Sequence, residues 1–478
     1  MKKTLTAILL VLSLGACDMI PDMETPKFSL SDTWKEQPVN IVKPGKAKEK
    51  APVAVVTEAP AINADWWRNF GSAELDGLMD RALEQNNDLR AAIARINQAR
   101  AAMKIAGASA YPSVDASAGA RETRTVPGSW GNSGSVGLDI SYEVDLFGRN
   151  KAGRKAAKAD FRASQYDHDA LALIVMGDVA EGYFRTVNLR ERAAIAQNNL
   201  SNSRNVLKLV QARFDAGASS ALDLSRQKAE MATTEASLAA LQAQASQAEN
   251  ALAILLGTPP HDMGLKTKAL SAIKQPAVPL SQPAQVITQR PDIRAAEQTL
   301  VAANADIGAA RAAFYPTFNI GTSAAASFAA LSNPVARTLE IAASIIAPIF
   351  HGGELEGGVE RATARQVELA ENYRKVVLVA LREVEDALSA AKAAKSRERS
   401  FATAMAEARK TYNLSRELYD AGSVDYQTLL DSQRTLLSAE DSHSAVRLEL
   451  LSAQVDLYKA LGGGWRDTQT AKKSVAKK

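Results

Sequence analysis

One pattern occurs twice in this 478-residue chain, about 205 residues apart. Asn87-Asp88-Leu89-Arg90-Ala91-Ala92 returns as Pro291-Asp292-Ile293-Arg294-Ala295-Ala296, and Tyr111-Pro112 returns as Tyr315-Pro316. Asp215-Ala216-Gly217 returns as Asp420-Ala421-Gly422, and Leu256-Gly257 as Leu461-Gly462. Self-similarity of this length marks a duplicated structural unit rather than a scatter of solitary catalytic residues. Function therefore has to be built from what two copies of one architecture can make.

Each copy reads as a helix, two strands, a very long helix, a tight turn and another long helix. The strand signal is clearest from Val136 to Leu146, where even positions are apolar and odd ones small, polar or acidic. Eleven residues are enough for a tilted transmembrane β-strand, which needs about 9–11. A half-buried strand of a soluble sheet would need a covering layer, and the sequence offers none. The partner strand follows Tyr111-Pro112; in the second copy the strands fall at roughly 317–328 and 336–350. Gly128 to Gly134 and Ser332-Asn333-Pro334 are the expected hairpin tips. The offset between copies is 204 at Tyr111/Tyr315, 203 at Phe147/Phe350 and 205 at Val179/Val384, so length drifts only at the hairpin and its crossing near Gly352-Gly353. Between Val359 and Ala421 there is no Gly or Pro, which allows a helix on the order of 90 Å long at 1.5 Å per residue. Apolar heptads run through both copies: Leu200, Leu207 and Phe214 correspond to Met405, Tyr412 and Tyr419. Leu224, Met231, Leu238, Ala245 and Leu252 correspond to Leu429, Leu436, His443, Leu450 and Leu457.

The N-terminus is a secretion signal, with Lys2 and Lys3 before an apolar run from Leu5 to Leu14 that is too short to span a membrane. It ends Leu14-Gly15-Ala16-Cys17, similar to a lipobox, in which the cysteine is lipidated as residues 1–16 are removed. The bland alternative is an ordinary signal peptide with a chance cysteine. Cys17 is the sole cysteine, so it forms no internal disulfide. Residues 17–64 are polar and proline-punctuated, a strap or linker; helical periodicity starts at Trp66-Trp67. The first structural repeat then covers 65–262 and the second 263–465, with 466–478 expected as a solvated, disordered basic tail. A net charge of +4 over the whole chain leaves no nucleic-acid footprint.

Two hairpins give four strands, whereas bacterial transmembrane barrels have at least eight and leave no edge unpaired in lipid. The chain must therefore oligomerise: two copies would give eight strands, three would give twelve. Trp66-Trp67-x-x-Phe70, Asp88-Leu89-Arg90-Ala91-Ala92, Tyr111-Pro112, Asp145-Leu146-Phe147-Gly148-Arg149 and Leu457-Tyr458-Lys459-Ala460-Leu461-Gly462-Gly463-Gly464-Trp465 occur in the order and spacing of a known family. In these motifs the chain resembles the TolC-like outer-membrane efflux factors, in their lipidated branch. The resemblance implies an α+β membrane protein, a homotrimer with four β-strands per chain in a twelve-stranded barrel and a long α-helical periplasmic barrel. It implies partners as well: outer-membrane lipid, a periplasmic adaptor protein, and an inner-membrane pump of the RND type that supplies the energy.

The turns Ala216-Gly217-Ala218 and Ala421-Gly422-Ser423 would lie at the periplasmic tip, where family members meet the adaptor's helical hairpins. Plain turn residues would look the same, since glycine there permits a tight reversal. Beyond the second turn the family carries an acidic ring that constricts the tip. Asp431 matches one such aspartate; Thr428 stands where some relatives carry another aspartate and Gln427 where others carry leucine. Three copies of Asp431 about an axis would repel one another and attract cations, making a gate sensitive to pH or ions. An ordinary solvated helix acid is the alternative.

Other signals stay below threshold. The four histidines (His168, His261, His351 and His443) are too scattered for a metal site, and His443 lies on a heptad seam. Gly462-Gly463-Gly464 lacks the lysine of a phosphate loop. Glu383, Glu385 and Asp386 read as a solvated helix face rather than an acid/base pair. No nucleophile–base pattern and no cofactor motif stands out, so the reading is a non-enzyme: the passive outer-membrane outlet of a tripartite efflux pump. The exit duct of a type I protein secretion system would use the same architecture, and a periplasmic coiled-coil scaffold lipoprotein without a pore is the rival from another class.

Overall fold

The computed structural model describes residues 19–23, 26, 28, 33–35, 63–124, 126–128, 130–260, 263–329 and 333–466. The expected signal peptide, Cys17, most of the strap and residues 467–478 lie outside them. In chain order the elements are a 3-10 helix Trp66–Phe70, α1 (Ala73–Gln85), α2 (Asn87–Ala108), β1 (Ser113–Arg124), β2 (Trp130–Val144), α3 (Arg149–Asp215) and α4 (Ala221–Leu255). A 3-10 turn Leu270–Ala272 and α5 (Pro283–Gln289) follow, then α6 (Pro291–Ala312), β3 (Thr317–Ala329), β4 (Asn333–Ile346), α7 (Glu354–Asp420) and α8 (Tyr426–Ala460). The duplication is visible in the lengths: α2 and α6 have 22 residues each, α3 and α7 67 each, α4 and α8 35 each.

The chain divides into two compact units. The first comprises Met1–Phe28, Ile93–Asp167 and Asp292–Val376, and it holds all four strands. These form one antiparallel sheet in the order β1-β2-β3-β4, so the ladder follows the sequence and β1 and β4 are its edges. Register sorts the side chains. Ala116, Leu138, Ala324 and Leu339 share one rung, and the rungs beside it bring Val114, Ile140, Thr322 and Ile341 together on the same face. The intervening rung, Asp115, Asp139, Ser323 and Glu340, faces the other way. A bulge near Ser327/Phe328 shifts the start of β4 by one residue.

The expected strand 136–146 is displaced toward its N-terminus. Gly131 to Ser135 lack apolar alternation yet pair fully with β1, whereas the strand stops at Val144. The reason is Asp145: its carboxylate accepts the Asn150 amide at 3.2 Å and the Lys151 amide at 2.7 Å, capping the first turn of α3. Phe147 stacks on Tyr315 at 4.7 Å, which ties the first copy's Asp-Leu-Phe-Gly-Arg motif to the second copy's Tyr-Pro. In the second copy β3 and β4 begin and end within a few residues of expectation, except that Phe350 lies past the end of β4.

The second unit comprises Ser29–Ala92, His168–Pro291 and Val377–Lys478. Its largely aliphatic core contains an aromatic cluster: Trp66 stacks on Tyr458 at 5.0 Å, and Phe70 packs against Phe184 at 5.1 Å. The glycines closing each copy have one physical cause. Gly257 (φ +66) and Gly462 (φ +89) lie so close to the Gln85 and Gln289 carbonyls that a Cβ would stand 2.2 and 2.3 Å from those oxygens. Beside them Asn86 donates to the Leu255 carbonyl, and its counterpart Arg290 donates to the Ala460 carbonyl. Arg290 also pairs with Glu383 at 2.8 Å, so that part of the acidic run is an interhelical contact rather than a purely solvated face. Most heptad positions are buried, among them Leu200, Leu224, Leu252, Tyr412, Leu429 and Leu450. Phe214 departs from the pattern: it is partly exposed, while its counterpart Tyr419 is buried.

Candidate functional site

Two regions are candidates for function: the sheet, in the first unit, and the helical turns, in the second. On the sheet, Val136, Leu138, Ile320, Leu339, Ile341 and Ile345 are all exposed, Leu339 to 77% and Ile341 to 80%. Exposed apolar residues on consecutive rungs of one face form a patch larger than a soluble monomer ordinarily leaves open. Arg124, whose guanidinium sits 5.4 Å from the Trp130 ring, and Arg337 lie toward the hairpin tips on this face; Tyr142 and Phe318 mark its other end. Aromatic and basic residues flanking an apolar band suit the two interfaces of a bilayer. The opposite face is mostly Ser and Gly with Asp115, Asp139, Glu143, Asn319, Arg121 and Thr123, suited to water. Among the described residues no helix is long and apolar enough to cross a membrane.

The turns are built alike. Gly217 (φ +74) follows α3; the Ala218 amide donates to the Arg213 carbonyl at 2.7 Å. Gly422 (φ +72) follows α7; the Ser423 amide donates to the Leu418 carbonyl at 2.8 Å. Both are glycine-terminated helix ends. Ser220 caps α4 in a reciprocal box with Asp223, and Asp425 caps α8. Thr428 is engaged in that second cap: its amide and hydroxyl both donate to the Asp425 carboxylate, at 2.9 and 2.7 Å, and hold that carboxyl below its ordinary pKa. Arg213 joins the two turns, donating to the Tyr419 carbonyl at 2.7 Å with its guanidinium 4.2 Å from the Tyr419 ring.

Asp431 is exposed on α8 and accepts two 3.0 Å hydrogen bonds from Gln427. Gln427 in turn accepts from Arg226 of α4 at 3.0 Å. Arg226 is the residue of the first copy that corresponds to Asp431, so the duplicated position carries opposite charges bridged by one amide. Three partners went unnoticed in the sequence. Tyr426 donates to Gln227 at 2.7 Å, and the fully buried Gln227 donates to the Ser203 carbonyl and hydroxyl at 2.8 and 2.9 Å, linking α8, α4 and α3. Burial, and then the nearby Glu230, raise the Tyr426 phenol well above its ordinary pKa, so it is always a donor. Arg434 pairs with Glu230 at 2.7 Å, and the hydrogen bond its guanidinium donates to that carboxylate raises its pKa above the ordinary value. His443 faces Glu398 of α7 at 3.6 Å, an interhelical polar contact.

A four-stranded sheet with two open edges, one oily face and one wet one, in a chain that also carries two long helix–turn–helix elements, defines the protomer of an oligomeric membrane channel. The family model for outer membrane efflux proteins matches residues 78–258 and again 283–463, a displacement of 205 residues, that of the repeat. The chain belongs to the outer membrane efflux protein family. It is 34% identical over 494 residues to the pyoverdine export outer membrane protein OpmQ of Pseudomonas aeruginosa, covering 100% of this chain and 99% of that one. It is 32% identical over 473 residues to the solvent efflux pump outer membrane protein SrpC of Pseudomonas putida, covering 96% and 98%. Among solved structures, the open state of the Neisseria gonorrhoeae MtrE outer membrane channel superposes with a TM-score of 0.81 at 29% identity, covering 95% of this chain and 100% of that one.

Proposed function

We propose that three copies of this chain close into the exit duct of a tripartite efflux pump. The sheet carries this reading. Its strands alternate in direction, so β4 of one copy meets β1 of the next antiparallel, and three sheets of four make a twelve-stranded barrel with no edge left in lipid. The apolar face turns to the bilayer and the polar face to a water-filled lumen. The long helices form the wall of a periplasmic duct, and the turns Ala216-Gly217-Ala218 and Ala421-Gly422-Ser423 meet the adaptor of an RND-type pump. Cys17 is lipidated and tethers each copy to the membrane.

Conduction through such a duct is passive and needs no chemistry from the protein. At the closed tip, three Asp431 carboxylates around the axis form an acidic constriction, each held in place by Gln427 and Arg226. The test of the channel is heat-modifiable trimers in outer-membrane fractions, with conductance of the purified protein in planar bilayers. A water-soluble coiled-coil oligomer without conductance would refute it. For the gate, Asp431→Ala is expected to raise the basal leak, and an unchanged leak would sink that role.

A further inference from the structure

Ile20 and Pro21 are seated on α6 by contacts that use side chains particular to the second copy of the repeat. Ile20 packs with Val301 against Ala156, Ala159, Ala302 and Ala305, at the junction of α3 and α6. Asn304, which is buried, donates from Nδ2 to the Pro21 carbonyl at 2.7 Å. One turn further on, a Cβ at Gly308 would stand 2.5 Å from Ile20 Cγ1 and 2.9 Å from its Cα. Glycine inside a helix weakens it relative to alanine, and here the close approach of another backbone is the reason for it. Among the described residues the first copy shows no such seat. At the local offset of 204, Asn304 and Gly308 correspond to Arg100 and Lys104, and the Arg100 guanidinium lies 5.5 Å from the Phe161 ring instead. Two helices of equal length have diverged so that, among the described residues, α6 receives residues 20 and 21 of the N-terminal segment.

We propose that Asn304 and Gly308 are positioning residues for the membrane anchor, fixing where the acylated N-terminus leaves the protein; this rests on the lipidation of Cys17. Cys17 precedes Ile20 by three residues, which at no more than ~3.6 Å per residue keeps the anchor within about 11 Å of the seat. Gly308 is four residues from the end of α6, about 6 Å along the helix axis, and β3 starts at Thr317. The acyl chains thus enter the leaflet beside the foot of the strands, and lipid anchor and strand wall share one membrane boundary. Further along the segment Phe28 packs against Tyr373 of α7, ring centroids 6.1 Å apart. Without the seat the tether from that point is eleven residues, and the anchor's reach grows to roughly 40 Å.

The test uses the full-length membrane-inserted protein. Hydrogen exchange of residues 19–23 is compared between the parent, Gly308→Leu and Asn304→Ala, with Arg100→Ala as the first-copy control, and intact mass reports acylation. A nitroxide on Met19→Cys, read for membrane depth, reports position. Gly308→Leu should speed exchange of 19–23 at least tenfold and broaden the depth distribution, with exchange along α6 unchanged; Asn304→Ala should do so more weakly, and Arg100→Ala should not. Asn304→Ala adds no bulk and keeps the test informative if Gly308→Leu fails to fold. Unchanged exchange and depth in an acylated protein would overturn the seat. A mass without acyl groups would instead overturn the lipidation reading, and the anchoring role with it.

Discussion

Replacing Ile341 with arginine tests the two faces of the sheet within a single strand. Ile341 lies mid-strand on β4, opposite Thr322, on the face shared with Leu138 and Leu339. If that face meets lipid, an arginine near the bilayer midplane costs about 2–4 kcal/mol per copy. A trimer carries three, roughly 6–12 kcal/mol in all, comparable with the entire ~5–15 kcal/mol stability of an ordinary folded protein. Thr338 is on the same strand but the opposite face, opposite Ala325, where an arginine would sit in lumen water at little cost. The assay is the yield of heat-modifiable trimer in outer-membrane fractions and the temperature at which it dissociates. Ile341→Arg should abolish or sharply lower the trimer, while Thr338→Arg should leave it near parental level. Equal tolerance at both positions, or the reverse order, would refute the assignment of lipid and lumen faces.

Gly462→Ala forces a side chain onto a left-handed backbone and into the Gln289 carbonyl; a loss of about 2–4 kcal/mol is expected in thermal unfolding, whereas Gly77→Ala, with nothing within 4 Å, should be neutral or stabilising. Tyr426→Phe leaves the buried Gln227 Oε1 without its donor, at a cost of about 1–3 kcal/mol. If that bond holds the tip shut, single-channel recordings of the variant will show more frequent opening; identical recordings would argue that the bond serves stability alone. Asp306 has its carboxyl held above the ordinary value by burial and then by Asp160. The folded chain therefore binds the proton more tightly than the unfolded chain, and stability falls as pH rises from 3.8 through the raised folded value. Asp306→Asn should raise the melting temperature at pH 7 and make no difference below pH 3.8; a pH-independent effect would contradict this origin.

What was legible in the sequence was whatever depends on local periodicity or on comparison of the two copies. The alternation from Val136 to Val144 disclosed a two-faced strand, and matched glycines at 257 and 462 disclosed an equivalent packing site. Strand ends were harder. Trp130 to Ser135 is held by ladder pairing, which its Gly, Ser and Asn residues do not advertise, and Asp145 chooses helix capping over strand. The Tyr426, Gln227 and Ser203 network depends on three helices meeting, and no spacing encodes that. Its one trace is divergence between copies: Tyr426 corresponds to Ala221, Gln227 to Ser432 and Ser203 to Ala408. Where the halves agree they specify packing, and where they differ side chains reach across between them.

The open edges of β1 and β4 carry a genetic consequence. A chain that completes its wall only with its neighbours shares the fate of those neighbours. In the trimeric reading, a cell making equal amounts of sound chain and an edge- or face-defective one would assemble about one fully sound duct in eight, so such alleles would act dominantly.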